Sequence, residues 1–140
     1  MSIRVTHHAL LHFLGRCGFA GGDDPAAVPR RWANACLFRV LMGGRQATGD
    51  EAKAVSAWLV RAKWRDRDSL RRVSVENVVV CDRHRIAFVV AYDEDRDGNP
   101  VATVTSAIPL ARAVGEFRRI TCRRGKRRAG WNRGMKSIES

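Results

Sequence analysis

A chain of 140 residues holds one domain with a real core and leaves too little for two comfortable ones. Its 45% apolar content excludes wholesale disorder, and no apolar run approaches the ~18–20 residues that a membrane-spanning helix needs. The formal charge of +12 and pI of about 11.1 point to a polyanionic partner, nucleic acid ahead of an anionic membrane surface.

Taken in order, the chain opens with a short apolar stretch, residues 2–6, read as a possible strand. Thr6 is placed to cap a helix over residues 7–16, which Leu10, Leu11, Phe13 and Leu14 make mostly buried. Residues 18–29, GFAGGDDPAAVP, read as a loop punctuated by Gly and Pro. Pro29 suits the first turn of a second helix running to about Met42, with Trp32, Cys36, Leu37, Val40 and Leu41 on one face. Gly43 and Gly44 end it. Thr48 and Glu51 form a capping box for a third helix with an apolar stripe of Val55, Trp58, Leu59 and Ala62.

After a charged connector, residues 64–72, the period changes to that of strands. Three strands are expected, over residues 73–81, 85–92 and 100–108, joined by polar turns. Pro109 then permits a helix over residues 110–117. The fold class expected is α+β: N-terminal helices packed on a small antiparallel three- or four-stranded meander, followed by a basic C-terminal arm. Residues 1–117 form the single domain and residues 118–140 the arm, expected to be flexible when unbound.

That arm concentrates the charge. It carries nine basic residues, Arg118, Arg119, Arg123, Arg124, Lys126, Arg127, Arg128, Arg133 and Lys136, against one acid, Glu139. Lysine and arginine displace counterions from phosphates, and Trp131 offers a ring on which a base can stack. Arg118, Arg119, Arg123, Arg124, Lys126, Arg127, Arg128, Trp131 and Arg133 are therefore the candidate nucleic-acid contacts. Such contacts position a strand without reading its sequence. Cys17, Cys36, Cys81 and Cys122 are widely spaced with no CxxC pair, and His7 and His8 precede any apolar run. Reduced thiols in a cytoplasmic protein, without a disulfide framework, are expected.

Two motifs raise the question of a metal. His8 and His12 share a helical face, and Cys81-x-x-His84 offers a second half-site, which together would make a tetrahedral zinc set. No Glu follows His8 as a zinc-protease motif requires. The turn Asp93–Asn99 contains DxDxDG, the opening of a calcium loop, but Pro100 and Val104 stand where an aliphatic residue and the bidentate Glu belong. Acids beside Gly-Asn are also good hairpin-turn chemistry. No metal and no cofactor are expected.

A ribonuclease that works by internal attack of the 2′-hydroxyl needs a base, an acid and a cation for the phosphorane. His8, His12 and Arg16 repeat at every fourth position, a row along one helix face that would supply all three. Hydroxyls at Thr103, Thr105 and Ser106 would bond phosphate oxygens if that helix packed on the sheet edge. From spacing alone, a polar stripe on a half-buried helix is the plainer reading.

A resemblance raises the functional one. Residues 5–16, VTHHALLHFLGR, resemble the start of small phage and bacterial domains that begin [IV]T-x-H-A…R…ER, and residues 101–105, VATVT, are similar to the VVTVL that ends their β-meander. Those domains are similar to the barnase–EndoU–colicin–RelE group of compact RNases, many of them toxins. His8 matches the family His and Arg16 its second Arg. His12 stands where the first Arg is usual, and Gly15 replaces the Glu. The resemblance implies a small sheet that holds RNA and metal-free acid–base chemistry, with His8 as acid or base, His12 as its partner, Arg16 as phosphate stabiliser and Thr103 or Thr105 as orienting hydroxyl.

The expectation is an RNA-directed cytoplasmic protein resembling toxin-type metal-independent endoribonucleases. RNA is preferred to DNA as partner, and a membrane is not expected. The alternatives are a non-catalytic nucleic-acid-binding protein, or a phage-type inhibitor with a protein partner, a host nucleic-acid enzyme.

Overall fold

The computed structural model describes residues 2–22, 24–62 and 73–122. In chain order the elements are β1 (Ser2–Val5), α1 (His7–Leu14), α2 (Arg30–Met42), β2 (Arg45–Gln46), α3 (Gly49–Ala62), β3 (Val78–Cys81), β4 (Ile86–Glu94) and β5 (Pro100–Pro109). A last helix, α4, occupies residues 110–122. Short 3-10 turns lie at Pro25–Ala27 and Val75–Asn77.

The expected α+β class stands, but the sheet is larger and mixed. Five strands lie in the order β1-β5-β4-β3-β2, rather than three or four in an antiparallel meander. The antiparallel β3–β4–β5 centre follows from two tight turns. The additions are β1, which pairs parallel to β5, and β2, two residues long. A parallel partner about a hundred positions away leaves no local signal, and two residues are too few to show alternation.

The sheet separates two cores. On one face, Ala9, Leu10, Phe13 and Leu14 of α1 and Ala33, Leu37 and Val40 of α2 pack on Ile86, Phe88, Val90, Ala102 and Val104. On the other, Val55 and Leu59 of α3 and Leu110 and Ala113 of α4 pack on Val78, Val80, Ala87, Val89 and Ile108. Burying β4 on both faces explains its near-continuous apolar run. Phe13 and Phe88 are fully buried with ring centroids 6.0 Å apart, and Phe19 stacks on Phe13 at 4.2 Å. Across the outer layer, Arg112 lies over the Trp58 ring and Arg61 bonds Glu116 at 3.2 Å, joining α3 to α4.

Local chemistry accounts for the boundaries that moved. The Thr6 hydroxyl accepts from the Ala9 amide and starts α1 as expected, but Gly15 ends it, so the helix stops at Leu14 rather than Arg16. β3 starts at Val78 instead of Val73 because Ser74 and Asn77 bond each other and wind a 3-10 turn, while the Asn77 side-chain Nδ2 donates to the Val90 carbonyl at 2.9 Å. α4 continues to residue 122, past the expected stop at 117. The Thr48–Glu51 capping box forms at the start of α3.

One irregularity ties α1 to the sheet. Val89 pairs with Ser106 and Val90 with Val104, which leaves Thr105 as the extra residue of a β-bulge. The displaced Thr105 carbonyl accepts from the Thr6 hydroxyl at 3.4 Å, and the Thr6 amide donates to the Val104 carbonyl at 3.1 Å.

Candidate nucleic-acid interface

The turn between β3 and β4, residues 82–85, carries Asp82, Arg83, His84 and Arg85, all exposed. Arg85 is the only described non-glycine residue with positive φ, at 53°. That left-handed backbone disfavours a residue with a Cβ. It turns the Arg85 carbonyl to accept from the Leu110 amide at 2.9 Å, so the turn abuts the start of α4.

Between turn and helix lies a groove of about 460 Å³, lined by Asp82, Arg85, Leu110, Ala111, Val114, Gly115 and Arg118. The α4 members recur at helical spacing, forming one wall. A Cβ at Gly115 would meet nothing within 4 Å, so the groove stays open over that residue.

Asp82 is the acid among the groove's described residues, and Arg45 fixes its position. The Arg45 guanidinium donates through Nε and Nη2 to Asp82 at 2.7 and 2.8 Å, and through Nη1 and Nη2 to Glu51 at 2.8 and 3.0 Å. Its remaining N–H bonds the Gln46 carbonyl at 3.1 Å. All five donors of the fork are therefore used. The hydrogen bonds from Arg45 hold Glu51 down to about 2 and Asp82 below the ordinary carboxylate range, and the two acids push Arg45 up. Asp82 stays ionised, so Arg85 and Arg118 against that one acid leave the described lining net positive. Neither forms an ion pair with a described carboxylate.

On the opposite face of the sheet, α1 carries the histidines. His8 is exposed and His12 half-buried, and their ring centroids lie 3.9 Å apart. The structure thus brings these two together. Arg16 lies beyond the end of α1, in the exposed turn that follows. Arg16 neighbours Cys17, whose thiol burial pushes up to about 12 while the guanidinium draws it partly back.

The threonines are not gathered around the histidines. Ile3 and Val5 pack in the α1 core and pair with Ala102 and Val104, so alternation puts Thr103 on the far face. Thr105 sits at the bulge, its hydroxyl donating to the Val89 carbonyl at 3.3 Å. Ser106 is buried.

Cys81 is buried, and His84 stands edge-on to Phe19 with centroids 5.1 Å apart. Among the described residues no group of three or more His, Cys, Asp or Glu side chains is placed to hold a metal ion. In the acidic turn, Asp95 Oδ1 accepts from the amides of Asp97 and Asn99 at 2.9 and 2.8 Å, and Gly98 takes φ 79°. That carboxylate closes its own hairpin and is lowered by those bonds, the Asn99 amide first.

Of the basic arm, Arg118 and Arg119 are exposed on α4. Arg123, Arg124, Lys126, Arg127, Arg128, Trp131 and Arg133 lie outside the described residues. Among the described residues, no helix is long and apolar enough to cross a membrane. Sequence reasoning misses Arg85 and the Arg45 clamp. The run Asp-Arg-His-Arg at the turn is a visible signal for the first, whereas nothing local joins Arg45 to Asp82. No protein-family model, curated protein or solved structure matches the chain.

Proposed function

We propose that this protein binds nucleic acid, RNA in preference to DNA, across the groove between the β3–β4 turn and α4. One observation carries the reading. Arg85 and Arg118 line an open groove whose one acid among the described residues, Asp82, is held by Arg45, and that groove lies on the helix that leads into the basic arm. Phosphates would lie in the groove, and the arm would add sequence-independent affinity. The preference for RNA rests on the resemblance of residues 5–16 and 101–105 to compact RNases. The test is titration of the protein with RNA, single-stranded DNA and duplex DNA across a salt series. Tight RNA binding that weakens steeply with salt supports the reading, and salt-insensitive or absent binding refutes it.

The histidine pair favours a second reading, a metal-independent endoribonuclease. Rings 3.9 Å apart on one helix lie close enough to act at one phosphodiester. One imidazole would take the 2′-hydroxyl proton as that oxygen attacks phosphorus, and the other, protonated, would give a proton to the departing 5′-oxygen. The products would be a 2′,3′-cyclic phosphate and a 5′-hydroxyl. Incubation with total RNA in EDTA, beside His8→Ala, separates the readings. Cleavage lost in the variant makes the protein an enzyme, and intact RNA that shifts in a gel leaves a binding protein.

A further inference from the structure

The two sides of the β3–β4 turn face different surroundings. Arg85 lines the cationic groove, whereas the neighbouring His84 meets Phe19. Phe19 in turn lines a second cavity, of about 590 Å³, with Ala20, Asp24, Ala27, Val28, Pro29 and Trp32. Its volume is in the ~300–1,000 Å³ range of small-ligand clefts. Trp32, at its rim, is 51% exposed, although a ring of that size is usually covered. Arg30 and Arg31, both exposed, share the first turn of α2 with Trp32.

We propose that this aromatic cavity takes an unstacked nucleobase of the strand whose phosphates lie at Arg85 and Arg118, which makes the protein selective for single-stranded RNA. The inference rests on the RNA-binding reading. Three features name a base as occupant. Apart from Asp24 the cavity is lined by aromatic and apolar residues that suit a flat ring, and Trp32 is half exposed. The exposed arginines beside it match the phosphates that flank a base. His84 meets Phe19 of the cavity and the next residue, Arg85, lines the groove, so one turn borders both. A base held in a duplex cannot leave its stack to enter without unpairing.

The experiment compares wild type, Trp32→Ala and Trp32→Phe for binding to a short oligoadenylate and to a fully paired RNA hairpin, over a salt series. Trp32 is half exposed, so these variants are expected to keep the fold, which circular dichroism checks. Trp32→Ala should lose about 5- to 150-fold in affinity for the single strand, the measured scale for one base–aromatic stack, with hairpin affinity and salt slope unchanged. Trp32→Phe should recover most of the loss. Equal affinities for wild type and Trp32→Ala, or equal losses on strand and hairpin, overturn the inference. In that outcome the cavity serves another occupant, such as an apolar peptide side chain, and the RNA-binding reading survives if salt-dependent binding persists. A wild type that binds neither RNA overturns both.

Discussion

Arg85→Gly separates charge from fold. Arg85 holds a left-handed backbone, φ 53°, at a cost of roughly 1–2 kcal/mol for a residue with a Cβ. Glycine removes that strain and adds backbone freedom to the unfolded chain, worth roughly 0.5–1 kcal/mol the other way. The variant should therefore be as stable as wild type or more so by up to about 1.5 kcal/mol, a gain of a few degrees in Tm. The same change removes one of the two cations among the groove's described residues. On a single strand each neutralised phosphate contributes about 0.7 to the slope of log K against log salt, so one lost contact at 0.1 M salt is about fivefold in affinity. Arg118→Gln should cost a similar factor, and the double variant about 25-fold with a slope smaller by about 1.4. Thermal melts and salt-series titrations read both halves. An Arg85→Gly protein that melts no lower and binds RNA with the wild-type slope would refute the groove as the phosphate site.

Three further outcomes follow from the packing and the clamp. Both Glu51 and Asp82 are held below their ordinary values by Arg45, so their contribution is fully present above the unfolded value near ~4.3. It is lost as pH falls toward the folded values, about 2 for Glu51. Denaturant melts from neutral to acid pH should show this decline, and Arg45→Met should flatten it. A Cβ at Gly44 would run into Val79 Cγ1 and lie 3.0 Å from the Leu41 carbonyl, so Gly44→Ala should cost about 1–3 kcal/mol in a urea titration. Phe88 is fully buried beside Phe13, and Phe88→Ala should cost about 3–5 kcal/mol by the same assay.

Much of this chain is legible in its sequence because the chemistry is local. The cap at Thr6, the capping box at Thr48 and Glu51, the helical stripe of α3 and the turn at Asp95–Asn99 involve residues within a few positions of one another. Their hydrogen bonds follow from the order of side chains. The antiparallel β3–β4–β5 centre is legible for the same reason, since short turns dictate which strands meet. The concentration of charge after Arg118 is equally plain from the order of residues.

Tertiary structure alone decided the rest. The parallel pairing of β1 with β5 joins the two ends of the domain, and a β-bulge at Thr105 sets where α1 begins. The expected helix over residues 7–16 ends at Leu14, which leaves Arg16 in the turn that follows, and Thr103 falls on the far side of a sheet whose parity is set by β1. The groove depends on contacts among residues 45, 51, 82, 85 and 118, which no periodicity relates. A single chain reports what its neighbours in sequence can do, but the make-up of a site depends on which distant side chains come together. Here that is Arg45 reaching across the sheet edge to Asp82.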